Sequence, residues 1–471
     1  MRVFIGLVLA GLILPGSQLV AADNKPLPKE MPPYGPLAAV KTPVVKVFML
    51  DNGMTVWLVP QPGFPKVSIT VAVKGGYTAD PKERPGLADL LAATLTQGST
   101  GKSAKQLAEE IAAAGGDLDA GATADSITIA ASVLSAKVEA TIQLLADVMQ
   151  RASFAENEVE IAKTNLLSSL EANEADPSFL ARRALYQALF GEHPYAVTAP
   201  TREALAATSA SELRREFARR MRPDQTMLVA VGDFGEAALS ESIRSTFGAW
   251  KAVGEAAPIV SEKPQPRFSK AVVYVSREGS VQTALYLGTL GPERAAPDYA
   301  AARVATAIYG GMFGSRLVNN IREDKGYTYS PGARLTPNTL TGVLVTRADV
   351  RNAVTGASFN EMQYELNRMA TTVPDEEEVK HAKQYLLGSL ALQLQSQAAV
   401  SRALSALWVD GFPPEELSRQ ASLVQSVKPA DVQAAGRRYF PAWRSTIVAV
   451  GEEKVIRDEL GAFGLEFQKV H

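Results

Sequence analysis

The stretches "EVEIAKTNLLSSL" (Glu158–Leu170) and "EVKHAKQYLLGSL" (Glu378–Leu390) align without a gap at an offset of 378 − 158 = 220 residues. A second pair, the "VAVG" ending at Gly232 and the "VAVG" ending at Gly451, repeats at 451 − 232 = 219. One helix and one strand recurring at nearly the same spacing imply two homologous halves of about 200 residues, an ordinary domain size. The chain has 471 residues, more than one ordinary core accommodates.

Working outward from the repeat, "FMLDNGMTVWLV" (Phe48–Val59) sets two β-type runs around Asn52-Gly53, a strong hairpin signal that opens the first half. Val67–Gly76 reads as a strand and Gly86–Gln97 as a helix. "KSAKQLAEEIAAAGG" follows, with Ser103 and Gln106 spaced as a capping box and Gly115-Gly116 as the stop. Asp117–Val133 reads as paired strands and Ala136–Ala152 as an amphipathic helix. Strands and helices mixed in this way predict an α+β fold of two homologous α/β-sandwich halves, each an antiparallel-rich sheet with helices packed on it, in a clam-shell arrangement. The halves are expected at residues 45–250 and 269–471, joined by the Pro-, Ala- and charge-rich linker 251–268.

The N-terminus carries Arg2, the apolar run Val3–Leu14 and the small residues Ala21 and Ala22, which reads as a signal peptide over 1–22. A 12-residue run broken by Pro15 falls short of the about 20 residues a membrane span needs, so no span is expected after its removal. The lead-in 23–44 contains six prolines between Asn24 and Pro43 and is expected to be extended. An exported, periplasmic protein of a Gram-negative bacterium follows as the expectation. The formal charge of −2 gives no footprint for nucleic acid, and with no cysteine there is neither disulfide nor thiol lipidation.

The two halves, the export signal, "GLADLLAATLTQGST" (Gly86–Thr100) and "SRLVNNIREDKGYTYSPGA" (Ser315–Ala333) together resemble the pitrilysin, insulinase and mitochondrial processing peptidase family of inverted zinc peptidases. Active members carry H-x-x-E-H on the helix after the first "GG" strand, two histidines holding zinc and the glutamate serving as base. The resemblance puts the histidine positions at Asp89 and Ala93, the glutamate at Ala92 and the later zinc ligand at Ser169. None of these can complete a three-ligand zinc site. His193, His381 and His471 are not paired at ligand spacing, so no metal and no cofactor is expected in this chain.

In the second half the family's arginine and tyrosine seven residues apart fall on Arg322 and Tyr329, 329 − 322 = 7, which the resemblance implies project toward a zinc centre and donate to the scissile carbonyl. A helix over Arg316–Lys325, Gly326 at C′ and a strand from about Tyr327 are predicted around them. On residue type alone, Arg322 also suits a helix C-terminus and Tyr329 a half-buried strand position. "GGDLDAGATADS" (Gly115–Ser126) resembles the substrate-binding edge strand, with Asp119 where asparagine is usual; a plain edge strand fits equally. The resemblance therefore implies a chain inactive by itself: the non-zinc subunit of a heterodimeric periplasmic peptidase. Its partner would be a homologous subunit carrying H-x-x-E-H and zinc, and its substrate a peptide. The alternative is a stand-alone peptide-binding or scaffold pseudopeptidase.

Overall fold

The computed structural model describes residues 40–267 and 271–470. The signal peptide and most of the lead-in lie outside the described residues, as does Phe268 at the end of the linker. Among the described residues, no helix is long and apolar enough to cross a membrane.

Each half is built on a six-stranded sheet. In the first, the spatial order is Lys46–Met49, Thr55–Pro60, Thr226–Gly232, Lys66–Lys74, Ser126–Leu134, Asp117–Ala122. In the second it is Glu466–Val470, Ala271–Ser276, Thr446–Gly451, Gln282–Gly291, Gly342–Arg351, Gly332–Pro337. Five consecutive positions correspond one to one, including the single parallel pair of that five-strand set, Thr55–Pro60 with Thr226–Gly232 and Ala271–Ser276 with Thr446–Gly451. The sequence repeat is thus a repeat of topology, and the fold class is the expected mixed α/β one.

Local chemistry forms these elements as read. Gly53 takes φ +91°, and Asn52 Oδ1 accepts from the Met54 N–H inside the first hairpin. The amide of Asn52 also donates to the carbonyls of Phe247 and Trp250, tying the hairpin to the last helix of the half. Ser103 and Gln106 form the capping box of helix Ala104–Ala113, and Gly115 follows it at φ +66°. The amphipathic helix spans Val138–Arg151, after a single 3₁₀ turn.

Every central strand is apolar on both faces, so each sheet needs two covers. One face of the first sheet (Val56, Leu58, Val67, Ile69, Val71) packs on its own half's helices, among them Leu87–Leu95 and Val138–Arg151. Its other face (Trp57, Val59, Met227, Val229, Val231) packs on Val400, Leu404 and Leu407 of helix Gln397–Val409, which belongs to the second half. Reciprocally, Val273, Val275, Tyr286, Val448 and Val450 of the second sheet pack on Phe179, Leu180, Ala184 and Leu185 of helix Pro177–Phe190 from the first. These two helices begin 397 − 177 = 220 residues apart, so they are the same element of the repeat, exchanged between halves. Thr70 and Ser401 hydrogen-bond across the same junction.

The segment between the halves is pinned along its length. Val260 N–H donates to the Thr78 carbonyl at 2.8 Å, Ala257 N–H to that of Arg219 at 3.1 Å, and Lys263 pairs with Glu293 at 2.6 Å.

Candidate functional site

The helix Leu87–Leu95 starts where the chain makes a turn only glycine can take. Gly86 has φ +82°, and a Cβ there would fall 2.3 Å from the Pro200 Cα. The orphan N–H groups of Gly86 and Ala88 donate to Asp80 at 2.9 and 3.1 Å. Asp80 also pairs with Arg220 at 2.9 Å, both side chains being buried. Arg220 in turn donates to the carbonyls of Gly76 and Ala79 and to Glu216. Burial outweighs this arginine and pushes the Asp80 carboxyl up to about 6.

Asp89 stands in the first turn of the helix, half-buried, with the Tyr77 hydroxyl 3.1 Å from both of its oxygens. Burial pushes its carboxyl up to about 7; the Tyr77 bond opposes that shift and the charge on Asp80 adds to it. Ala92 is buried at 1% exposure, and Ala93 packs half-buried against the core. Helix Glu156–Glu174 packs on this helix and carries Ser169, which is exposed. The structure therefore brings Asp89, Ala92 and Ala93 together on one helix against the helix of Ser169. Asp89 is held by Tyr77, because a tyrosine 12 residues earlier folds over it; the helix N–H groups are taken by Asp80.

Asp117–Ala122 is an edge strand, paired on one side with Ser126–Leu134, and Asp119 is exposed on it opposite Ala130. Its turn meets the second half. Asp125 accepts from the Tyr195 hydroxyl at 2.8 Å and from the Thr339 N–H at 3.0 Å, while the Leu340 N–H donates to the Tyr195 oxygen at 3.0 Å.

In the second half the expected helix over Arg316–Lys325 is one α-turn, Arg316–Val318, running into a π-helical turn, Asn319–Asp324. Gly326 closes it at φ +62° with its N–H on the Arg322 carbonyl, as the C′ reading requires. The strand starts at Gly332 rather than near Tyr327. Tyr327 N–H is still bonded back to Ile321, the Thr328 hydroxyl is bonded to Asp349, and Pro331 has no N–H for a ladder. Tyr329 consequently lies on the loop ahead of the strand at 81% exposure, not half-buried on it. The Arg322 guanidinium carbon sits 4.5 Å from the centre of the Tyr329 ring and 4.7 Å from that of Phe313, and its Nε is 3.2 Å from Glu323. Among the described residues its two terminal nitrogens have no hydrogen-bond partner.

A family model described as insulinase (peptidase family M16) matches residues 55–200, and one described as peptidase M16 inactive domain matches residues 208–386. The chain belongs to the M16 peptidase family. An uncharacterised zinc protease of Bacillus subtilis is 26% identical over 75% of this chain and 85% of its own length. A protein of Helicobacter pylori named as a non-peptidase homolog is 26% identical over 56% of this chain and 60% of its own. The crystal structure of a peptidase M16 inactive domain from Pseudomonas fluorescens superimposes with a TM-score of 0.81 at 25% identity, covering 91% of this chain and all (100%) of that one.

The residues of this M16 chain at the positions that the sequence resemblance assigns to the zinc site do not fit the metal. Asp89 is one carboxylate already engaged by Tyr77, two alanines bring no lone pair, and one exposed serine hydroxyl cannot make up a three-ligand set. Among the described residues no group of three His, Cys, Asp or Glu could hold a metal ion. His193 accepts from the Tyr195 N–H beside the 3₁₀ turn it caps, and His381 stands 3.8 Å from Glu377 on an exposed helix face. Sequence reading missed Tyr77, Asp80, Arg220 and Phe313. Only Asp80, a capping residue type shortly before a helix, left a local signal.

Proposed function

We propose that this M16 homologue is the metal-free subunit of a two-chain, exported zinc peptidase acting in the periplasm of a Gram-negative bacterium. One observation carries the reading. Asp89, Ala92 and Ala93 are absorbed into the fold and Ser169 is a lone exposed hydroxyl, whereas Arg322 and Tyr329 are presented together outside the core with donors to spare. The zinc, and the activated water it provides, would belong to a homologous partner carrying H-x-x-E-H. Arg322 would hold a peptide carbonyl by its free fork, and Tyr329 would add a hydroxyl donor where charge develops on the oxygen. That relatives are named both zinc proteases and a non-peptidase homolog accords with such a division of labour.

The test is co-expression with an H-x-x-E-H homologue encoded beside it, followed by copurification, metal analysis and cleavage of a short fluorogenic peptide. This chain alone should hold no stoichiometric zinc and give no turnover, and the copurified pair should do both. A chain that never copurifies with such a homologue, yet binds the peptide alone, is the stand-alone pseudopeptidase instead.

A further inference from the structure

Phe313 is an exposed aromatic residue that the fold does not need. It is 66% exposed, belongs to neither large core, and sits in the short loop between the π-turn Ala307–Gly311 and helix Arg316–Val318. The loop is nevertheless fixed. Ser315 N–H donates to the Met312 carbonyl at 3.1 Å, the Asn319 amide donates to the Gly314 carbonyl at 3.3 Å, and Gly310 lies so close to the strand Gly332–Pro337 that a Cβ there would fall 2.9 Å from the Ala333 nitrogen. What this rigid loop presents is one ring face, 4.7 Å from the Arg322 guanidinium carbon, which the Tyr329 ring meets at 4.5 Å.

An arginine side chain has many rotamers, and a helix end does little to select among them. Two converging cation–π contacts, each biasing placement by about two- to five-fold at an exposed site, select together by up to about 25-fold. We propose that Phe313 is a positioning residue that, with Tyr329, holds the Arg322 guanidinium so that its two terminal nitrogens face outward to one peptide carbonyl. This rests on the reading that Arg322 acts on a peptide at a partner's centre. Phe313 itself touches no reacting atom; it fixes the donor that does.

Two measurements test it. In the free chain, the Arg322 side-chain ¹H–¹⁵Nε resonance, assigned by its loss in Arg322→Lys, should be shifted upfield by the flanking rings. It should move toward the ordinary arginine position in Phe313→Ala and stay in Phe313→Tyr; a resonance unmoved by Phe313→Ala overturns the proposal. In the purified two-chain complex with the fluorogenic peptide, Phe313→Ala should lower kcat about 2- to 5-fold with KM little changed, and Phe313→Tyr should recover most of it. Phe313→Ala should cost nothing further in an Arg322→Ala background. Losses that multiply would make Phe313 an independent substrate contact, and an unchanged kcat would remove its role; either overturns the proposal. If Arg322→Ala itself keeps full turnover, the role of Arg322 at the partner's centre fails, while the free-chain spectrum still decides whether Phe313 holds Arg322.

Discussion

Leu185 of the first half lies directly over Gly288 of the second: a Cβ built on Gly288 would fall 2.8 Å from both Leu185 methyl carbons. Leu185 is fully buried and cannot swing away, so Gly288→Ala overpacks the junction and should cost about 1–3 kcal/mol. Leu185→Ala leaves a cavity and should cost about 2–5 kcal/mol. The double variant should cost less than the two together, because the shortened side chain makes room for the added methyl. Urea unfolding midpoints of the four proteins measure this; strict additivity would separate the two residues.

The exchange of helices makes a second prediction about the halves. Residues 45–250 expressed alone would expose Trp57, Val59, Met227, Val229 and Val231, the face that helix Gln397–Val409 covers in the whole chain. That fragment should be insoluble or molten, and adding a peptide of residues 397–409 should not rescue it, since an isolated 13-residue helix is marginal in water. A soluble fragment with a cooperative thermal transition would show that the first half is self-sufficient.

Much of this architecture was legible because its signals are local. The 220-residue repeat survives in a helix and a strand, and Asn52-Gly53, the Ser103–Gln106 box and Gly326 each act within a few residues of themselves. The exchange was not legible: apolar spacing in Pro177–Phe190 shows that a face is buried but not which sheet buries it. The partners of the helix Leu87–Leu95 were hidden for the same reason, as Arg220 reaches Asp80 from 140 positions away in sequence. The π-turn at Asn319–Asp324 leaves no periodicity that six residues can show. Asp89, Ala92, Ala93 and Ser169 could be placed only by resemblance, and what engages Asp89 only by structure.

Asp89 makes stability fall with rising pH. Its carboxyl ionises at about 7 in the fold against 3.8 as a free side chain, so between those values the folded state binds more protons than the unfolded one. Stability is therefore lost as pH rises from about 4 to 7 and levels off above; Asp80, at about 6, acts in the same direction. Asp89→Asn removes the ionisation while keeping an acceptor for Tyr77. It should be more stable than wild type by about 1–3 kcal/mol at pH 8 and converge with it near pH 4. Parallel curves at both pH values would mean that Asp89 does not titrate in this window.

Rebuilding the metal motif should fail in two separable ways. Asp89→His with Ala93→His adds imidazoles but no base, so no peptide cleavage is expected from that chain alone. Adding Ala92→Glu would place a carboxylate where exposure is 1%, between core residues Leu91 and Leu95, at a cost of several kcal/mol. Turnover by the double variant would show that the base position is misassigned. A triple variant as stable as wild type would show that Ala92 has room the structure does not display.

The final prediction concerns Arg322 and Tyr329 themselves. A donor that acts only as charge develops on the scissile oxygen contributes to kcat, and removing one such donor costs about 10²- to 10³-fold. In the purified two-chain complex, Arg322→Ala and Tyr329→Phe should each show that loss, with assembly and zinc content of the partner intact. A residue that merely grips the peptide would raise KM and spare kcat, so the two constants must be measured separately. Tyr329→Phe is the sharper of the two. It keeps the ring over Arg322 and the cation–π contact at 4.5 Å, removing only an oxygen on a residue 81% exposed, where no stability loss is expected. A kcat loss in that variant can come only from the missing hydroxyl. Unchanged kcat in both variants, in a correctly assembled complex, would leave the pair as surface residues and this chain as a scaffold.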